Sequence, residues 1–369
     1  MQREGSAHMI GILVCPIDGQ RLIEVALSEA ERSVGQGGRL VTRLNDSASA
    51  FGPTDRVLMR ADARWAYPIV DGFPVLLAPE RLFADGAALA IDLRDPRYEE
   101  AYEEMEFYNR VGREEAATVE HSEAAVALKP IDGARMTFPE PLEAWVDSPY
   151  EFGAKVDAYR FLAPLEGKVV LQVGGKGLHA VKFLLGGCAE AWLVAPMVGE
   201  LTFATALAER YGVLDRLHCV TGIGEELPLA SDSFDAVYVG GSLHHMQTDV
   251  AIAEIARVLR PGGRFAAVEP WKAALHGIGT RIFGKREPEV HCRPLTSDRL
   301  ASMTTSFARP RIEHHGAISR YPMIAFGKLG IRIKARTAGR IMAADDWLTR
   351  RWRALHRQGS VVAVLGEKA

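Results

Sequence analysis

Lys168-Val169-Val170-Leu171-Gln172-Val173-Gly174-Gly175-Lys176-Gly177 is the stretch on which the fold turns. A short β-branched and apolar run stops at a glycine cluster, and Leu178 to Leu185 follows with helical spacing. That is the pattern of a strand ending at a ligand crevice. Glycine suits such a turn because a side chain would hold a ligand off the backbone, and because the turn needs positive φ. The alternation then repeats outward. Ala191-Trp192-Leu193-Val194 reads as a second strand, Glu200 to Tyr211 as a helix, and Leu217-His218-Cys219-Val220 as a third strand. Phe234 to Val239 reads as a fourth strand and Asp249 to Leu259 as a helix, and Arg260-Pro261-Gly262-Gly263 leads into a fifth strand, Arg264 to Glu269. Strands alternating with helices predict an α/β fold with right-handed crossovers, a mostly parallel sheet and a ligand site at the carboxyl ends of its strands.

Four further landmarks stand in order: Leu227-Pro228-Leu229, Asp232-Ser233-Phe234-Asp235, Leu243-His244-His245, and Glu254-Ile255-Ala256-Arg257-Val258-Leu259-Arg260-Pro261-Gly262-Gly263. Together they resemble the core of a class I S-adenosylmethionine (SAM)-dependent methyltransferase of the type 11-like group. The resemblance covers roughly the C-terminal two thirds of the chain, and it speaks to fold before function. It implies a Rossmann-like, mostly parallel seven-stranded sheet. It also implies SAM as cofactor, with the cofactor site at Gln172, Gly174, Gly175, Gly177, Ala195, Ile223 and Glu225.

The chain departs from that family at its polar anchors. Gln172 stands where an acidic residue is expected, and Lys176 and Leu178 stand where further glycines are expected. The second strand ends at Ala195-Pro196 rather than at an acid that accepts from the ribose hydroxyls, and Ile223 replaces an acid near the adenine amine, with Glu225 close behind. A buried hydroxyl left without a partner costs about 1–3 kcal/mol. Two readings stay open: SAM held by other contacts, or the same crevice used without SAM.

At 369 residues the chain predicts two or three domains. With 48% hydrophobic and 25% charged residues and a formal net charge of −3, it offers no electrostatic case for nucleic acid or a membrane as partner. No apolar run approaches a transmembrane span, and the first residues hold no apolar signal core. Cys15, Cys188, Cys219 and Cys292 are scattered, as suits a reduced cytoplasm without a disulfide framework.

Residues 10–82 read as a small β-rich unit. It opens with Cys15-Pro16-Ile17-Asp18 and closes with Tyr67-Pro68-Ile69-Val70-Asp71-Gly72-Phe73-Pro74-Val75, a strand, an Asp-Gly turn and a second strand. This pair resembles the zinc-ribbon domain that activates some methyltransferases. Asp18 replaces the expected second cysteine, and no other cysteine precedes Cys188, so a four-ligand zinc site is not expected and the unit is read as metal-free. Residues 91–162 read as a helical lid and connector, with Glu99, Glu100, Glu103, Glu104 and Glu106 interleaved with Tyr102, Met105, Phe107 and Tyr108. Tyr102, Tyr108 and Asn109 could reach a ligand or pack in the core. Residues 163–369 form the methyltransferase-like domain with an insertion at 271–297.

Candidate catalytic groups crowd after the fourth strand. His244 and His245 are candidate general bases because histidine titrates near working pH, and they also fit a structural pair. Glu269 ends the fifth strand, facing the crevice, and Trp271 is placed to wall the pocket. The insertion offers His276, Arg281, Lys285, Arg286, His291 and Arg293, and forked guanidinium groups match carboxylate, sulfate or phosphate. These residues read either as a site for an anionic substrate or as a solvated loop. A basic, partly helical stretch from Lys328 to Arg357 reads as a solvated face. The leading expectation is SAM-dependent methylation of a small molecule in bacterial specialised metabolism. The alternatives are a SAM-independent cyclisation or elimination that expels sulfate or phosphate, and a non-catalytic protein-binding role. A homodimer or a partner protein is compatible with all three.

Overall fold

The computed structural model describes residues 11–36, 40–41, 55–84, 96–122, 128, 138–140, 142–146, 151–273, 293–331, 333–356 and 358–369. The chain opens with β1 (Leu22–Ala26), α1 (Leu27–Ser33), β2 (Leu40–Val41), β3 (Arg56–Arg60), β4 (Ala66–Val70), β5 (Phe73–Pro74) and β6 (Phe83–Ala84). β1, β3, β4 and β5 form an antiparallel sheet in that order, and β2 pairs with β6. The expected Asp-Gly turn joins β4 to β5, with φ of 53° at Asp71 and 84° at Gly72. Left-handed backbone at both central residues matches the twist of a two-residue hairpin.

Two helices lead into the large sheet, α2 (Pro96–Ala117) and α3 (Phe152–Leu162). Then come β7 (Val169–Val173), α4 (Leu178–Leu185), β8 (Glu190–Ala195), α5 (Val198–Arg210), β9 (Leu217–Thr221), β10 (Phe234–Gly240), α6 (Thr248–Val258) and β11 (Leu259–Pro270). The chain closes with β12 (Ala308–His315), α7 (Arg320–Lys328), α8 (Ala335–Arg351) and β13 (Val361–Glu367). The seven strands run in the order β12-β13-β11-β10-β7-β8-β9. β9, β8, β7, β10 and β11 are parallel, and β13 is antiparallel to both its neighbours. The order reverses between β7 and β10, the switch point at which such sheets open a crevice.

Period-two alternation splits the central strands between two layers. Val170, Leu193 and Tyr238 face a cluster with Tyr159, Phe183 and Ala266. Leu171, Trp192 and Val237 face another with Ile252 and Phe265. Burial on both faces is what turns these strands into near-continuous apolar runs.

The small N-terminal sheet has a cluster of its own, Val25, Ala30, Val34, Leu40, Val57, Met59 and Ala66, and shares a second with the large sheet. Leu13, Cys15, Leu22, Leu58 and Tyr67 belong to the same buried cluster as Trp192 and Val237. Its backbone also docks: Leu76 N donates to Thr221 O at 2.9 Å, Val14 N to Pro228 O at 3.1 Å, and Ala230 N to Ile12 O at 2.9 Å. The first of these bonds meets the end of β9, and the other two hold the segment that follows it. Cys15 and Asp18, the positions compared with zinc ligands, are engaged elsewhere. Cys15 Sγ lies 3.3 Å from Tyr67 Oη, and Asp18 pairs with Arg60 at 2.7 Å. α2 crosses α5 at a glycine pair, where a Cβ on Gly112 would lie 2.3 Å from the Gly199 carbonyl carbon. Asn109 Oδ1 accepts the Gly199 N–H at 2.8 Å, so Asn109 serves the helix crossing.

Candidate cofactor cavity

A cavity of about 660 Å³ opens at the carboxyl ends of β7, β8, β9 and β10, with α2 as its outer wall. Its floor is the glycine turn. Gly174 and Gly175 have φ of 76° and 71°, and a Cβ on Gly174 would lie 2.4 Å from Ser242 Oγ. Gly177 caps α4 with φ 76°, and a Cβ there would lie 2.5 Å from the Ala204 Cβ, so this glycine serves helix packing rather than the lining. Gln172 is buried and straps the turn from below. Its Nε2 donates to Gly174 O at 2.8 Å, and its Oε1 accepts the Ala180 N–H at 2.7 Å. An ionised carboxylate at this position could only accept, so the amide makes a bond that the family's acid would not.

β8 ends with Ala195 in the core, while Pro196 and Met197 reach the cavity. One turn into α5, Glu200 is 6% exposed and lines it too. After β9 come Ile223, Gly224 and Glu225, and Glu225 Oε1 accepts the Gln247 N–H at 2.8 Å. Burial pushes both carboxyls up to about 7, that of Glu200 against the opposing Lys176 charge and that of Glu225 against the Gln247 hydrogen bond.

The two histidines divide. His244 Nδ1 lies 2.7 Å from Glu269 Oε2, and both groups are buried behind the lining. Glu269 Oε1 also accepts the N–H groups of Ser242 at 3.1 Å and Leu243 at 2.9 Å. The pair therefore shapes the loop after β10. His245 faces the cavity, with Nδ1 2.8 Å from Glu100 Oε1 and 3.7 Å from Glu104 Oε1 on α2. Arg293 donates to Glu100 Oε2 and, at 3.0 Å, to His245 O. Burial opposes the charge on Glu100, yet the hydrogen bond with His245 and the Arg293 charge hold its carboxyl below the usual range. Glu100, Glu104 and His245 each offer a potential metal-ligand atom within 4.8 Å of the others, with His245 hydrogen-bonded to Glu100 and at ion-pair distance from Glu104.

Of the residues expected from sequence, Gly174, Gly175, Ile223, Glu225, His245 and Arg293 meet in this cavity. Gln172, Gly177, Ala195, His244 and Glu269 frame it from the second layer. Trp271, expected to wall the pocket, is instead packed edge-on against His314 at 4.8 Å, with its N–H donated to Ser360 O. The pairing of β11 with β13, which runs up to Pro270 and Val361, holds it on that side. His276, Arg281, Lys285, Arg286 and His291 lie outside the described residues. Sequence reasoning missed Glu200, Ser242, Met246 and Gln247, and it read Glu100 and Glu104 only as part of an acidic helix. The Glu100–Glu103–Glu104 spacing on one helical face was the available signal.

Comparison with known proteins bears directly on this doubly wound sheet and its crevice at the β7–β10 switch. Residues 171–267, from β7 into β11, match the family model described as "Methyltransferase domain". The chain is 38% identical over 112 residues to a ubiquinone/menaquinone biosynthesis C-methyltransferase of Paracoccus denitrificans, covering 30% of this chain and 45% of that one. It is 32% identical over 135 residues to an uncharacterized methyltransferase of Mycobacterium bovis, covering 33% and 53%. The chain thus spans about half the length of the curated relatives it matches. Among solved structures it is similar to a geranyl diphosphate methyltransferase in complex with SAM, with TM-score 0.43, 16% identity, and coverage of 59% of this chain and 85% of that one.

Proposed function

We propose that the chain is a SAM-dependent methyltransferase acting on a small molecule, with a cofactor site whose missing anchors are replaced from neighbouring positions. The observation that carries this reading is the cavity lined by the 174–176 turn and by the buried carboxylic acids Glu200 and Glu225. The volume is that of an ordinary cofactor pocket. The residues fit a cationic, hydroxyl-bearing ligand. Gly174 and Gly175 leave backbone accessible, Glu200 offers a ribose acceptor one turn beyond Ala195, and Glu225 stands behind Ile223 on the adenine side. Bound there, SAM would supply an electrophilic methyl group on its sulfonium.

The protein's own part is to place and deprotonate. With its Nδ1–H given to Glu100, His245 keeps Nε2 as its basic nitrogen, suited to take the acceptor's proton. Lys176, bonded to Glu115 at 2.7 and 2.8 Å, ties the turn to α2 and closes the cavity wall. Among the described lining residues, six glutamates (99, 100, 103, 104, 200, 225) face four basic groups (Arg97, Lys176, His245, Arg293). That balance suits a cationic ligand. The N-terminal sheet, bonded to the end of β9, would act as a built-in counterpart of the activator domain it resembles.

Calorimetric titration with SAM and S-adenosylhomocysteine tests the reading. SAM should bind with a Kd of about 1–100 μM, or roughly −5 to −8 kcal/mol, and more tightly than the product, which lacks the sulfonium charge. Glu200→Gln should weaken it by about tenfold through the loss of a charge-assisted hydrogen bond. No heat at millimolar SAM would overturn the assignment.

A further inference from the structure

α7 and α8 leave the sheet at the end of β12, where His315 lies beside Val361, itself beside Pro270 at the end of β11. α8 has one inward face. Ala338, Met342, Asp345 and Thr349 are buried at spacings of four, three and four, one stripe of a helix. The opposite stripe is Arg336, Arg340, Trp347 and Arg351, all exposed. Trp347 is 70% exposed and Trp352, just past the helix, 55%.

Between Arg320 and Arg357 the sequence has ten lysines and arginines against two acids, Asp345 and Asp346. Both acids point inward. Asp345 Oδ2 accepts from Ser319 N at 2.9 Å and Ser319 Oγ at 2.6 Å, while Asp346 Oδ2 lies 2.9 Å from His315 Nδ1. The exposed Lys334, Arg336, Arg340 and Arg351 make the described outer face basic as well as apolar. Seven of the ten large apolar side chains exposed among the described residues fall between positions 318 and 352, with Leu329 at 73% and Ile331 at 51%. Single exposed apolar residues need no explanation, but a cluster of them does.

We propose that α7, α8 and the segment joining them form a docking surface for an anionic phospholipid bilayer. Tryptophan sits at the headgroup level, aliphatic side chains enter the acyl boundary, and guanidinium groups reach the phosphates. Leu329, Ile331 and Ile341 cannot stack on bases, which disfavours a nucleic acid. A second copy would set one basic face against another, which repels. The formal charge of −3 for the whole chain conceals this face because the acids lie elsewhere.

The test is co-sedimentation of the full chain with vesicles of phosphatidylcholine alone or mixed with phosphatidylglycerol. Binding should be at least about tenfold stronger to the anionic vesicles at low salt and should fall as salt rises. The double variant Arg336→Glu/Arg340→Glu should lose that preference, and Trp347→Ser/Trp352→Ser should weaken binding severalfold. All four positions are exposed, so the thermal midpoint should stay unchanged. Equal binding to both vesicle types, no binding to either, unchanged binding by both variants, tighter binding to single-stranded DNA, or a dimer that the tryptophan variant abolishes would each overturn the proposal.

Discussion

The cavity wall and the outer face of α8 are both built from charged helices, with opposite signs and opposite exposure. α2 turns Glu100 and Glu104 inward, where His245 and Arg293 meet them. α8 turns its arginines outward around Trp347 and folds its two acids toward Ser319 and His315. Charge taken out of water needs a partner, whereas exposed charge needs none. The near-neutral sum of the chain thus hides two regions of opposite sign, an acidic cavity lining and a basic outer face.

The largest expected effect breaks the cavity side alone. Gly177→Val forces a branched residue into φ 76° against Ala204 and Leu193. Denaturant unfolding should show a loss of at least about 3 kcal/mol or failure to fold. A milder change strikes the joint that holds α8 to α3, where His315 lies between Asp157 at 3.0 Å and Asp346 at 2.9 Å. Burial opposes its charge, but hydrogen bonds to both aspartates push its pKa up to about 9. A raised folded-state pKa stabilises fully below the unfolded value of about 6.5 and loses that contribution as pH rises through about 9. Urea midpoints should therefore decline between those limits, by an amount on the order of 3 kcal/mol, and His315→Gln should flatten the profile. A rise in stability with pH over this range would count against the ion cluster.

The smallest effect sharpens the contrast at the cavity. Glu200 and Glu225, each raised to about 7, are largely protonated below that pH and ionised above it. A cationic ligand favours the ionised form, so SAM affinity should rise severalfold from pH 6 to 8, with protons released on binding. Calorimetry in buffers of different ionisation enthalpy reads that release, and Glu225→Gln should reduce it. Uptake of protons, or none, would argue against these acids facing the cofactor.

Much of the sheet was legible because its signals are local. Valine-rich runs, the turn at Gly174 to Gly177 and the Arg260-Pro261-Gly262-Gly263 entry each occupy a few adjacent residues, and strands formed at or within a few residues of them. The elements just before β12 are too short to carry a periodic signal: a 3-10 turn, Asp298–Leu300, and a one-turn helix, Met303–Ser306. The basic stretch after Lys328 was legible in composition and not in orientation, since a stripe of arginines has no stated outside until Ala338 and Met342 find an inside.

Sequence alone determined the glycine turn, the alternation of strand and helix, and the Asp-Gly hairpin, because backbone sterics and side-chain periodicity act between near neighbours. Only the tertiary structure decided that Glu100 meets His245 across 145 positions, that Leu76 bonds to Thr221, and that Glu200 stands beside a strand end that carries no acid. It also separated His245, at the cavity, from His244, behind it. Such contacts depend on how whole helices and sheets pack, and neither spacing nor residue type records that distance.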